Sequence, residues 1–167
     1  EEIQKEYENV KVVKYEGSFN YSKINNFGAK YAGGEYYLLM NNDVELIEPD
    51  SLKEMMGYCQ REDVGIVGCR LLYEDNTIQH AGVVVGITGV AGHVFNGMPS
   101  EGVSYFNRAM VAQDYSAVTA AVMLVKKSVY EEAGGLDETF AVAFNDIDFC
   151  LRVRETGKLV VYNPYAC

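Results

Sequence analysis

Two acidic clusters and one pair of histidines carry most of the chemistry open to this sequence. The first cluster, Asn41-Asn42-Asp43-Val44-Glu45, follows directly on the apolar run at residues 36–40. Carboxylate and amide oxygens at the end of such a run suit a hard divalent cation, which takes oxygen ligands. Asn and Asp also favour turns for backbone reasons, so spacing alone leaves both readings open. The second cluster, Asn145-Asp146-Ile147-Asp148, opens an amphipathic stretch. Asp at a helix start can serve as a cap or a dipole partner. Asp148 and Arg152 are spaced for an i,i+4 pair on a solvated face. The chemical alternative makes Asp146 a general base presented at the end of a loop. His80 and His93 are the two histidines of the chain. His80 falls in a strand-like run and is expected to be a satisfied, partly buried side chain. His93 falls in a glycine-rich loop, where an imidazole is free to act.

The elements that must position these groups alternate in type. Apolar runs at residues 10–15, 36–40, 64–72, 78–85, 119–125 and 159–162 read as strands, those at 36–40 and 119–125 as strands buried on both faces. Residues 19–31 place Ile24, Phe27 and Tyr31 at helical spacing, with Ser22 as N-cap and Gly33-Gly34 as the stop. Ser51 with Glu54, and Ser128 with Glu131, have capping-box spacing and open two further helices. The second of these closes at Gly134-Gly135, and a helix over residues 144–153 precedes Gly157. Between residues 86 and 113, glycines at 86, 89, 92, 97 and 102 mark a long loop region of the kind that often carries function. Strands alternating with helices predict an α/β sandwich with a largely parallel sheet. Ligands in such sheets sit at the carboxyl ends of the strands, where both acidic clusters would lie.

Composition narrows the classes of function. The 167 residues suit one domain, and 49% hydrophobic with 23% charged residues is an ordinary globular balance. Twenty-four acidic against 14 basic residues leave a net charge of −10, which disfavours a phosphate-neutralising nucleic-acid surface. No apolar stretch approaches the ~20 residues that span a bilayer. Cys59, Cys69, Cys150 and Cys167 include no CxxC pair, which fits reduced thiols rather than a disulfide framework or a zinc site.

Taken together, the N-x-D cluster after a strand, the glycine-rich loop, INNFGAKYAGGEYYLLMNNDVEL at 24–46 and GGLDETFAVAFNDIDFCLRVRETG at 134–157 resemble the family-two inverting glycosyltransferases. The resemblance runs from about residue 10 to 165 and is nearest to the rhamnosyltransferase-like enzymes of polysaccharide and O-antigen assembly. It implies a GT-A fold: a three-layer α/β/α sandwich around a mixed, mostly parallel sheet. It further implies that Asp43 holds a Mg²⁺ or Mn²⁺ ion on the diphosphate of a nucleotide-sugar donor. Asn41 would face the ribose or the water shell of the metal, with Asn42 and Asn26 also on the donor side. Asp146 would be the base, Asn145 and Asp148 its support, and His93 and Asp114 would belong to the acceptor side, facing a glycan or a lipid-linked sugar.

Two features of that family have no counterpart here. Most of its first strand–helix–strand unit, which grips the nucleotide base, and a histidine after its last strand are missing, so the expectation is a catalytic-domain fragment, 1–167, of a longer protein. Such a fragment is expected to be inactive alone and to self-associate through an unpaired sheet edge. The whole protein is expected to be cytoplasmic, at the inner face of the membrane, without a nucleic-acid partner. The competing readings are a non-catalytic interaction domain on the same scaffold, for which Asn41 speaks, and a nucleotidyltransferase, which would want a basic glycine-rich loop that the chain lacks.

Overall fold

The computed structural model describes residues 2–87, 89–101 and 104–167. Gly102, read above as part of the loop region, lies outside them.

The centre is a five-stranded sheet. Its strands are β1 (Tyr36–Met40), β2 (Val64–Cys69), β7 (Gln113–Asp114), β8 (Val122–Lys126) and β9 (Leu159–Asn163), in the order β1-β8-β2-β9-β7. Strands β1, β2 and β9 run in one direction, and the antiparallel β8 sits between β1 and β2. The sheet is therefore mixed, with direct parallel pairing confined to β2 and β9. Alternating side chains feed two apolar layers, as the two-residue period of a strand requires. On one face Ile66, Met123, Val125, Val160 and Tyr162 pack with Tyr130 of α4 (Lys127–Glu132) and with Phe149 and Val153 of α5 (Asn145–Glu155). Tyr21 and Ala29 of α2 (Tyr21–Ala29) lean on the same layer. On the other face Val64, Val67, Leu124 and Val161 pack with Met55 and Cys59 of α3 (Ser51–Cys59). This is the three-layer α/β/α arrangement that the sequence predicts. All four cysteines are free and buried.

Several local expectations shift. Residues 10–15 form no strand: they have no regular secondary structure, are largely exposed, and have no ladder partner among the described residues. β1 is an edge strand with Leu38 and Met40 partly exposed, so it is buried on one face and not on both. The run at 64–72 breaks at Arg70, where β3 (Leu71–Leu72) leaves the main sheet to pair with β4 (Ile78–His80). The run at 78–85 divides likewise, and β5 (Val83–Val85) pairs with β6 (Ala91–His93) inside the glycine-rich region. Neither capping box forms. α3 and α4 begin without a side-chain cap bond. Ser51 is instead buried, its hydroxyl donating to the Cys167 carbonyl and accepting from the Cys167 amide at 2.9 and 3.0 Å. A hydroxyl that finds a long-range backbone partner has no need of a local one. Asn20, rather than Ser22, caps α2 by accepting from the Lys23 amide at 2.9 Å.

Gly68 of β2 shows how tightly the sheet is covered at the end that matters for function. A β-carbon there would lie 2.5 Å from Val118 Cβ, inside any tolerated contact. Val118 leads into the segment at residues 119–121, so the bare glycine lets that segment close onto the sheet. Gly68→Ala should cost about 1–3 kcal/mol, the usual penalty of overpacking. Urea denaturation should show a lower midpoint at an unchanged slope; an unchanged midpoint would show that Val118 moves aside freely.

Candidate functional site

β1, β2 and β9 share one carboxyl edge, and a cleft of about 710 Å³ opens there. Ligand sites of α/β proteins occupy this edge, and roughly 300–1,000 Å³ is their usual size. One wall is the turn after β1, with Asn41, Asp43 and Glu45. That turn is tied down by the Ile47 and Glu48 amides, which donate to the Cys167 carbonyl at 3.0 and 3.2 Å. The opposite side carries Arg70, Glu74, Gln79, His93 and Asn96, and Thr119 and Ala121 close the floor.

The floor connects the two acidic clusters. The Asn41 amide donates to the Ala121 carbonyl at 2.9 Å. The Ala120 amide donates to Asp146 Oδ2 at 3.3 Å, while the Tyr21 hydroxyl donates to the Ala120 carbonyl at 2.7 Å. Burial, with the Asp146 charge adding to it, pushes the Tyr21 phenol up to about 12, so it stays a neutral donor. The Thr119 amide faces His80 Nε2 at 3.5 Å. Three consecutive residues thus meet the end of β1, the start of α5, α2 and β4.

Asp146 is not among the residues that line the cleft: it meets the floor through the Ala120 amide and is placed by the loop before it. Phe144 takes a left-handed φ of 66° and starts α5 without a side-chain cap bond. Asp146 Oδ1 accepts from the Ile147 amide at 2.9 Å, and the helix N-terminus favours a negative charge at this point. α2 holds the loop along its length. Asn20 Nδ2 donates to the Glu138 carbonyl at 2.9 Å, Ser22 Oγ to the Phe140 carbonyl at 2.8 Å, and the Tyr21 amide to the Ala141 carbonyl at 2.8 Å.

Asn26 completes that clamp and does not reach the cleft. Its Oδ1 accepts from the Tyr130 hydroxyl at 2.6 Å and the Leu136 amide at 2.9 Å, and its Nδ2 donates to the Leu136 carbonyl at 2.8 Å and to Glu138 at 3.2 Å. With every polar atom engaged, the donor-side role expected for Asn26 is corrected to a structural one. Gly135, at φ +71°, is required beside it, since a β-carbon would meet Asn26 Oδ1 at 2.6 Å.

Other expected residues divide similarly. Asn42 sits in the turn, exposed, and is not among the residues that line the cleft. Asp114 is also corrected: it pairs with Arg154 of α5 and accepts from the Val160 amide at 3.0 Å, which staples β7 to the sheet away from the cleft. Asp148 forms the i,i+4 pair with Arg152 at 2.7 Å, and Arg152 in turn donates to the Ala133 carbonyl. Asn145 is buried, with Nδ2 3.5 Å from the Phe140 carbonyl. His93 lines the cleft, and its Nδ1 is 2.9 Å from Nδ1 of the wholly buried His80.

Arg70 was read as part of a strand and is the functional candidate that sequence reasoning missed. It is the one cation among the residues lining the cleft, and its Nε is buried without a hydrogen-bond partner among the described residues. A charged residue interrupting the apolar run at 64–72 was the available signal. Gln79 and Asn96 carried no comparable signal. No three His, Cys, Asp or Glu side chains gather as a metal cage among the described residues. The donor set of the wall, two carboxylates and an amide oxygen, fits a hard cation that completes its shell with phosphate and water.

Burial of His80 gives the site a pH signature. Desolvation, with the neighbouring His93 adding to it, holds its imidazole down at about 3. The unfolded chain takes up this proton near ~6.5, the folded chain only far below, so the stability present above that value drains away as pH falls toward 3. At about pH 5 the loss from this residue should be roughly 2 kcal/mol. Denaturation midpoints measured from neutral to acid pH should show it, and His80→Gln should flatten the slope; equal slopes would mean that His80 charges freely in the fold.

Comparison with known proteins agrees with this geometry. The model of "Glycosyl transferase family 2" matches residues 1–122, which include the Asn41–Glu45 wall and the 119–121 floor but end before Asp146. The chain is 48% identical over 158 residues to the protein y4gI of Sinorhizobium fredii, covering 94% of this chain and 17% of that protein. It is 44% identical over 144 residues to the "O-antigen biosynthesis protein RfbC" of Myxococcus xanthus, covering 86% of this chain and 11% of that one. It is 24% identical over 143 residues to the "Low-salt glycan biosynthesis hexosyltransferase Agl10" of Haloferax volcanii, covering 83% of this chain and 44% of that one. Among solved structures, GalNAc-T7, crystallised with UDP, GalNAc and Mn²⁺, superposes with a TM-score of 0.77 at 12% identity, over 99% of this chain and 33% of that chain. The likeness shows the GT-A fold. With its family model matching nearly three-quarters of the sequence, the chain belongs to glycosyl transferase family 2.

Proposed function

We propose that this chain forms the transfer site of an enzyme that moves a hexosyl or rhamnosyl group from a nucleotide-diphospho-sugar to a hydroxyl of a glycan or lipid-linked acceptor, with inversion. The observation that carries this reading is the floor at 119–121. It joins the oxygen-rich wall of Asn41 and Asp43 to the carboxylate of Asp146 through backbone bonds at Ala121 and Ala120. Membership of a glycosyltransferase family, relatives named for O-antigen and glycan biosynthesis, and a structural neighbour crystallised with UDP and Mn²⁺ all support it.

In this mechanism Asp146 accepts the proton of the acceptor hydroxyl. The freed oxygen attacks the anomeric carbon from the side opposite the diphosphate, the new C–O bond forms as the carbon–phosphate-oxygen bond breaks, and configuration inverts in that single displacement. The Ala120 and Ile147 amides hold the two oxygens of Asp146 in place, and Asn145 and the Asp148–Arg152 pair brace its turn. A Mg²⁺ or Mn²⁺ ion held by Asp43, with Asn41 beside it, would stabilise charge on the departing diphosphate. Arg70 faces the same space and adds the positive charge that an acidic cleft otherwise lacks. The exposed edge of β1 is where a second chain or a further strand would pair.

Asp146→Asn in the whole protein should lower transfer at least ~10²-fold while leaving donor affinity nearly unchanged, because a base acts in the transition state. Asp43→Ala should instead weaken Mn²⁺-dependent donor binding. The measurement is turnover and calorimetric binding across UDP-, GDP- and dTDP-sugars. Retention of more than about a tenth of the rate by Asp146→Asn would remove it as the base, whereas absence of any transfer by the unaltered whole protein would favour a non-catalytic binding domain.

A further inference from the structure

His80 ends β4 and His93 ends β6, strands of two separate two-stranded sheets, and their rings lie 4.9 Å apart and nearly perpendicular, at 79°. Their Nδ1 atoms lie 2.9 Å apart, so one must donate and the other accept. The other nitrogen of His80 decides which. Its Nε2 faces the Thr119 backbone N–H, which can only donate. His80 Nε2 is therefore an acceptor, and the proton of His80 sits on Nδ1. That proton goes to His93 Nδ1, which leaves His93 with its own proton on Nε2. With Nδ1 turned toward the buried ring, Nε2 lies on the edge of His93 left to the cleft that this residue lines.

We propose that His80 and His93 form a tautomer lock that presents His93 Nε2–H as a fixed, neutral hydrogen-bond donor to a hydroxyl oxygen of the acceptor sugar. The sugar as ligand rests on the transferase reading above; the lock itself does not. His80 is a positioning residue, acting only through His93.

The lock is self-enforcing. Protonating His93 sets two Nδ1–H groups face to face at 2.9 Å, and protonating His80 sets an Nε2–H against the Thr119 amide N–H, so the pair resists charging. The groups around it are Asp146, whose charge reaches His93, and the rings of Tyr162 and Tyr115; the centroid of Tyr162 is 6.3 Å from that of His80. Burial holds both imidazoles below the ordinary histidine range, with the Asp146 charge opposing this at His93. Neutrality has a chemical use. An imidazolium beside Asp146 would pair with the carboxylate and weaken it as a base, whereas a neutral N–H leaves it free. The donor must meet a hydroxyl neighbouring the attacking one, because a bond to the attacking oxygen would occupy the lone pair needed for attack. His93 thereby orients the acceptor while Asp146 takes its proton.

The test is long-range ¹H–¹⁵N correlation NMR of the ¹⁵N-labelled 167-residue chain, which has two histidines and so two ring patterns. At neutral pH the expected result is Nδ1–H on His80 and Nε2–H on His93, both persisting below the ~6.5 at which a free imidazole takes up its second proton. An Nδ1–H on His93, or the averaged shifts of a tautomer mixture, overturns the lock. His80→Leu should release His93 to a mixture of tautomers titrating near ~6.5; if that variant does not fold, the wild-type spectra decide alone. Methyl glycosides of rhamnose, glucose and mannose, added at high millimolar concentration, serve as acceptor probes. At least one should move the His93 Nε2–H signal while His80 keeps its tautomer, and a His93 signal indifferent to all three overturns the acceptor contact. The tautomers are read without donor, metal or turnover. Failure of the lock is thus separate from failure of the transferase reading, which would appear as absent nucleotide-sugar binding.

Discussion

The peptide units of residues 119–121 are the constraint on which the site depends. They lie at the carboxyl edge of the sheet, largely out of water, where an unpaired amide or carbonyl would cost about 1–3 kcal/mol. Each finds its partner in a different element: Asn41 after β1, Asp146 at the start of α5, Tyr21 of α2 and His80 of β4. Satisfying one short segment therefore brings together the two acidic clusters and the histidine pair, which are separated by up to about a hundred residues in the chain. Gly68 permits the approach from beneath by leaving room for Val118. Function and stability are hard to separate at such a point, since the bond that satisfies Ala120 also aims the carboxylate of Asp146.

The electrostatics of the cleft follow from which of its groups are charged. Asp43, Glu45 and Glu74 line it against the single cation Arg70, in a chain of net charge −10. Left alone, that field would repel a diphosphate. A divalent cation on the Asp43 wall would invert it locally, since a bound ion is commonly the largest charge in its site. The histidines do not supply the missing positive charge, because burial and their mutual contact keep them neutral. The division is chemically sensible: cationic help belongs beside the leaving group, and near Asp146 it would compete with the acceptor proton.

α2 contributes rigidity. Asn20, Ser22 and Asn26 each hold the backbone between Leu136 and Phe140, and each such bond is worth roughly 1 kcal/mol net. A loop held along its length delivers Asp146 at one place, and placement within a fraction of an ångström is what a general base requires. Within the INNFG stretch Asn26 serves that loop, whereas Asn25 donates to the Tyr21 carbonyl inside α2.

Much of this was legible in the sequence. The apolar runs that became β1, β8 and β9, helix stops at Gly134-Gly135 and Gly157, and acidic residues placed just after β1 and at the start of α5 read correctly, because they express local rules of period, backbone freedom and turn chemistry. The resemblance of residues 24–46 and 134–157 to family-two glycosyltransferases led to the GT-A fold. What local rules could not decide was the partner of each polar group. Ser51 and Glu54 have the spacing of a capping box, yet Ser51 bonds to Cys167, 116 residues away. Asn26 and Asp114 have the composition of a ligand site, yet their hydrogen bonds close onto Leu136 and Val160. Arg70 reads as a strand residue, yet the chain leaves the main sheet there and turns it into the cleft. The pairing of His80 with His93 exists only because the fold brings together the ends of β4 and β6, strands of two separate two-stranded sheets. A hydrogen bond has a range of about 3 Å and no memory of sequence separation, so residue type announces that a group will be bonded. Only the folded chain decides to what.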